Sequence, residues 1–186
     1  MKKRRGQILL VSVGALLVAV AARAGDQTSD AVPGKIHEQL ARMAGDYTTV
    51  SKFMMKPGDP GRETQGSAKL KTILGGRFIM EETEGSLLGQ KNSGFHLLGY
   101  NNGAGQYEGT WAYTGSTALM NLKGSSKDDG KTIELAATYE QIKGTVTNLT
   151  VVIRQIDDDH LVVALIAKGP DGKQGPTLET SYTRKK

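Results

Sequence analysis

From Asp46 onward, apolar side chains recur at every second position, and breaker residues interrupt them roughly every 8 to 15 residues. A period of two is the pleat of a β-strand that buries one face. Thr64, Gly66, Ala68, Leu70, Thr72 and Leu74 alternate with Glu63, Gln65, Ser67, Lys69 and Lys71. Ile133, Leu135, Ala137 and Tyr139 alternate with Thr132, Glu134, Thr138 and Glu140, and Leu149, Val151 and Ile153 with Thr150, Val152 and Arg154. The interruptions are turn clusters such as Pro57-Gly58-Asp59-Pro60-Gly61, Gly75-Gly76, Asn101-Asn102-Gly103, Asp128-Asp129-Gly130 and Pro170-Asp171-Gly172. This pattern predicts about ten strands, near 47–55, 63–74, 77–86, 90–101, 105–114, 117–125, 131–140, 144–156, 160–168 and 176–184.

No helical period returns after residue 45, and the links are short. A parallel crossover needs a dozen or more residues, so the strands must pair antiparallel. Ten strands without covering helices either close or split into two packed sheets. Closure removes the exposed edges. The expected fold is therefore all-β, an antiparallel up-and-down barrel of about ten strands. The 24 glycines suit its bends and tight turns.

Before the strands, Pro33 to Gly45 reads as a short helix, with Ile36, Leu40 and Met43 on one face. Residues 25–33 read as a flexible lead-in, and a single barrel domain is expected over 34–186. Residues 1–24 have the three parts of a removable secretory signal. Lys2, Lys3, Arg4 and Arg5 precede the uncharged stretch from Ile8 to Ala22, and Ala22-Arg23-Ala24 sets the cut before Gly25. A retained membrane anchor is the alternative, but spanning takes about 20 apolar residues. Arg4-Arg5 also raises twin-arginine export, which Gly6-Gln7-Ile8 fits poorly. The expected product is exported, periplasmic or secreted, with no stable membrane insertion after cleavage. The leader holds five of the 24 Lys and Arg, leaving 19 against 19 Asp and Glu. That neutrality removes the argument for nucleic acid. The chain has no Cys, which excludes disulfides, thiol nucleophiles and thiolate metal sites.

Several stretches occur together: Leu40-Ala41-Arg42-Met43-Ala44-Gly45-Asp46-Tyr47, Ile73-Leu74-Gly75-Gly76-Arg77-Phe78-Ile79-Met80-Glu81-Glu82 and Leu97-Leu98-Gly99-Tyr100-Asn101. With Gly169-Pro170-Asp171-Gly172-Lys173 and Glu179-Thr180-Ser181-Tyr182-Thr183-Arg184, the chain resembles a bacterial domain-of-unknown-function family, number fifteen seventy-nine, over almost all of 35–185. The resemblance implies a lipocalin-like or nitrobindin-like barrel of calycin type, with no established activity or catalytic residues. The chain departs from the family in Tyr47, where Trp is commoner, and in His96.

Chemistry concentrates on three strands. If His96, Leu98 and Tyr100 point inward, an imidazole enters the lumen, where it either bonds a neighbour in the core or serves a ligand. A nitrobindin-like use would be haem ligation through His96. Tyr107, Gly109, Trp111 and Tyr113 share a face, either as an aromatic cavity wall or as ordinary core. Phe78 and Met80 alternate in step with Glu82 and Glu84, so an inward carboxylate is one reading; solvated charges at a strand end are the default. Glu82 and Glu84 would lie about 7 Å apart on one strand, and nothing else supports glycosidase chemistry. His37 is expected to be a partly exposed helix residue, and His160 to sit in a solvated turn after Asp157-Asp158-Asp159, with no Ca²⁺ loop spacing. Ser86 is misplaced for a nucleophile elbow, and no phosphate loop, dinucleotide fingerprint or His pair at metal spacing is present. The Asn148-Leu149-Thr150 glycosylation triplet is idle in bacterial-type export.

The favoured expectation is a non-catalytic protein binding a small, largely apolar molecule in the barrel. Its candidate site residues are Met80, Glu82, His96, Tyr100, Trp111 and Tyr113. The alternatives are a haem protein or enzyme using His96, and an interaction module with a filled core. Oligomeric state stays open.

Overall fold

The computed structural model describes residues 30–168 and 173–186. The expected signal peptide and the lead-in up to residue 29 lie outside the described residues. One helix, α1 (Lys35–Arg42), precedes ten strands: β1 (Gly45–Met54), β2 (Arg62–Ile73), β3 (Phe78–Leu87), β4 (Gln90–Asn101), β5 (Gln106–Tyr113), β6 (Met120–Ser126), β7 (Thr132–Ile142), β8 (Thr145–Gln155), β9 (His160–Lys168) and β10 (Gln174–Arg184). Each strand pairs antiparallel with its neighbours in sequence, and β10 pairs with β1 to close an all-β barrel.

The strand ends differ from expectation where side chains compete with the ladder. β6 starts at Met120 because Ala118 N–H is taken by Ser116 Oγ at 3.0 Å. In β10 the register shifts between Gln174 and Thr177, around Pro176, which has no N–H to give.

Because every link is a hairpin, alternate loops share one end of the barrel. α1 covers the end that carries the β2–β3, β4–β5, β6–β7 and β8–β9 loops. It is shorter than expected: Met43 N–H and Ala44 N–H bond to Leu40 O and Ala41 O at 3.1 Å each, tightening the last turn. Arg184 then caps it from β10, donating from Nη2 to Arg42 O at 2.9 Å, while its guanidinium lies 4.9 Å from the centre of the Tyr47 ring. Tyr47 O–H donates to Met43 O at 2.9 Å.

His37 is buried rather than partly exposed. Gly34 N–H donates to its Nδ1 at 3.1 Å, so Nε2 carries the proton and donates to Tyr100 O at 3.0 Å. The imidazole thus satisfies an orphan donor at the helix start and ties α1 to β4.

The core fills this covered end. Leu40, Tyr47, Leu98, Leu122, Ile133, Leu135 and Val151 are all buried, and Ala137 with them. Toward the other end the inward residues open up, with Tyr139, Leu149 and Leu165 only partly buried. The lumen is solid beneath α1 and looser toward its open rim.

Candidate functional site

Within the looser half, three neighbouring strands set one residue each in a row. Glu81 on β3 is the register partner of His96 on β4, which is the partner of Trp111 on β5. All three face inward. Tyr182 reaches the group from β10, across the lumen. Its phenol donates to Glu81 Oε1 at 2.7 Å, and Glu81 Oε2 lies 3.4 Å from His96 Nδ1. The His96 ring stacks on Trp111, with centroids 5.1 Å apart and planes within 19°.

Glu81 is the only buried carboxylate among the described residues. A buried charge must be paired, and this one has a partner on each oxygen. Burial first, then the nearby Glu81 carboxylate, hold the Tyr182 phenol well above its ordinary pKa, so it stays a donor. His96 Nδ1 faces this carboxylate, which leaves Nε2 as the other polar atom of the ring. That atom is buried and has no partner.

Between this group and the rim lies a cavity with about 70 Å³ of room for water-sized occupants. Trp111 and Tyr182 line it, together with Thr49, Ser51, Thr64, Thr83, Ser86, Asn92, Leu165, Leu178 and Thr180. Some hydroxyls satisfy one another: Ser51 Oγ and Thr180 Oγ1 are 2.9 Å apart, and Thr64 donates to Ser86 O at 2.9 Å. Gly66 and Gly94 help keep the space. A Cβ at Gly66 would meet Glu84 O at 2.5 Å, and one at Gly94 would meet Thr83 Oγ1 at 2.6 Å and Trp111 Nε1 at 3.4 Å.

The structure unites only two of the candidate residues, His96 and Trp111. Tyr100 also points inward, but at the covered end, where its ring meets Tyr107 edge-on at 5.1 Å and His37 at 6.2 Å. There it borders a separate cleft of about 490 Å³ beside α1. Tyr113 lies beyond Trp111 toward the rim, its phenol pKa raised first by burial and then by Tyr139. Met80 and Glu82 correct the expected phase of β3. They face outward, and Glu82 pairs with Lys71 at 3.4 Å in solvent. Phe78, Ile79 and Met80 are all apolar, so alternation alone could not choose the buried face. Glu81 and Tyr182 escaped sequence reasoning for that reason and because they are 101 residues apart. The available signal was Ile79-Glu81 in step opposite Leu98-His96. His160 opens β9, its Nδ1 bonded to Asp157 of the preceding exposed turn at 2.8 Å.

The site does not fit a haem. The His96 ring is stacked on Trp111, and the cavity of about 70 Å³ is too small for a haem.

No functionally curated protein matches the chain. Among solved structures, it is similar to Rv2717c from M. tuberculosis, with 15% identity and a TM-score of 0.55, over 83% of this chain and 100% of that one. It is likewise similar to the S-type phycobiliprotein lyase CPES from Guillardia theta, with 15% identity and a TM-score of 0.56, over 82% and 94%. Both likenesses are of fold. A family model matches residues 32–184, and the chain accordingly belongs to the family described as protein of unknown function (DUF1579).

Proposed function

We propose that this protein is a lipocalin-like binding protein, acting outside the cytoplasm, that holds a small and largely apolar molecule in the looser half of its barrel. The observation that carries the reading is His96 Nε2, a buried ring nitrogen without a partner, on an imidazole stacked against Trp111, which lines the cavity. Leaving such an atom unsatisfied costs about 1–3 kcal/mol, a cost a ligand donor would remove. On this reading the Glu81 carboxylate, held by Tyr182, keeps the ring proton on Nδ1 and leaves Nε2 to accept, Trp111 offers an aromatic face, and Leu165 and Leu178 supply apolar wall. The expected ligand is therefore compact, flat and apolar, with one O–H or N–H. The fold likeness to a phycobiliprotein lyase is consistent with a barrel that handles small molecules, and does not name this one.

The test is a calorimetric titration with phenol and with toluene, which share a shape but differ in the donor. Phenol should bind about 10- to 100-fold more tightly, and His96→Phe should abolish the difference. Equal affinities, or a preference that survives His96→Phe, would refute the reading. Trp111 is the only Trp in the chain, so its fluorescence reports occupancy without a label. Export is tested by N-terminal sequencing of the protein from its own cell envelope, with Gly25 expected first.

A further inference from the structure

The next inward row above Glu81, His96 and Trp111 is Thr83 on β3, Gly94 on β4 and Tyr113 on β5, register partners in turn. Gly94 has no side chain, and polar atoms of its neighbours lean over the gap. A Cβ there would stand 2.6 Å from Thr83 Oγ1 and 3.4 Å from Trp111 Nε1. Two polar atoms thus converge on one bare stretch of backbone. Thr49 on β1 adds a third, being 6% exposed and lining the same cavity. Among the described residues, nothing bonds the Trp111 indole N–H or the hydroxyls of Thr49 and Thr83. They differ from His96 Nε2, the one unpartnered side-chain atom among the described residues that is fully enclosed. The open space beside them is the cavity they line. Asn92 lines it as well. Thr114 Oγ1 accepts from Ser93 N–H and donates to Asn92 Oδ1, each at 3.2 Å, which leaves the Asn92 amide nitrogen without a partner.

This spare capacity is one-sided. An indole N–H and an amide NH₂ can only donate. The groups that could accept are already engaged. Glu81 receives Tyr182 on one oxygen and faces His96 with the other, while Ser51 and Thr180 bond to each other. The cavity therefore calls for an acceptor from outside. No described Lys or Arg lines it, and Glu81 lies beneath it, so an anion would leave water without a counter-ion. A neutral oxygen is what fits.

We infer that the ligand carries such an oxygen, a carbonyl or an ether, and that it seats over Gly94 with Trp111 Nε1 and Thr83 Oγ1 donating to it. This rests on the binding function proposed above, which gives the ligand one O–H or N–H, and it adds the second polar group. The ligand class is then a small neutral ring compound with a donor toward His96 and an oxygen acceptor toward the Gly94 gap. Room for the second group adjoins the site, since a hollow of about 250 Å³ shares Ser51, Thr64, Leu87 and Leu178 with the cavity.

Calorimetric titration with two matched pairs tests the inference, 3- and 4-methoxyphenol against 3- and 4-ethylphenol. Within a pair the shape is shared and the ether oxygen is the difference. The wild type should bind the methoxyphenol of at least one pair about three- to tenfold more tightly than its ethyl partner. Thr83→Val removes one donor at nearly unchanged shape and should lower that ratio about two- to threefold; Trp111→Phe removes the other and should do the same. The ratio is read within each protein, so a general loss of affinity in a variant cancels. Equal affinities in both pairs, or a ratio that neither variant lowers, would overturn the inference and leave the advantage of phenol over toluene untouched. A protein that binds none of the four phenols would overturn it together with the reading it rests on.

Discussion

Glu81 is the residue on which the interior turns. Its two partners offset the desolvation of a buried carboxylate, so removing either one should cost more than its own hydrogen bond. Tyr182→Phe is expected to destabilise by about 1–3 kcal/mol and Glu81→Ala by about 3–5 kcal/mol, read as shifts in the urea midpoint. The pH dependence has a definite sign. Tyr182, and to a lesser degree Tyr47, Tyr107 and Tyr113, have pKa values raised by burial in the folded state. Their neutral form is the one the fold prefers, so this contribution is complete below pH 10. It is lost as the pH climbs above 10, where the unfolded chain releases protons that the folded one retains. Urea titrations above pH 10 should show stability falling, and Tyr182→Phe should flatten that fall. A Tyr182→Phe protein with the wild-type slope would show that the phenol is not held as described.

At the scale of elements, α1 is latched rather than self-supporting. Eight residues make a marginal helix in water. Its start is held by His37 and its last carbonyls by Arg184, which also donates to Asp158 O at 2.9 Å. Arg184→Ala should cost about 1–2 kcal/mol and raise amide exchange in Gly34–Ala44 while the β7–β8 amides stay protected. Exchange unchanged in α1 would contradict the latch. Elements were also where the sequence was most informative. The alternation of Ile133, Leu135 and Ala137 against Glu134 and Thr138 places β7 and its inward face correctly, because one face is uniformly polar. On β3 both phases begin apolar, so the strand was legible and its inward face was not. His37 was misjudged for a related reason. Its burial depends on β4 and on Gly34, which no helical wheel contains.

For the molecule as a whole, ten hairpin-linked strands and closure could be argued from link lengths and edge avoidance alone. Which half of the lumen is solid could not. That depends on α1 covering one end and on Gly66 and Gly94 sparing space at the other, both products of long-range register. The His96–Trp111 contact was half legible, since each residue stood on a recognisable inward face, but their adjacency is a register fact. Filling the gap tests the division directly. Gly94→Ala should crowd Thr83 and Trp111, shift the Trp111 emission and weaken phenol binding by about tenfold, while α1 exchange stays unchanged. The most direct test of the central claim is a crystal structure of the protein soaked in phenol. The account predicts the ring against Trp111, with its oxygen about 2.7–3.2 Å from His96 Nε2. Phenol bound elsewhere, or Nε2 already bonded to a protein group, would contradict it.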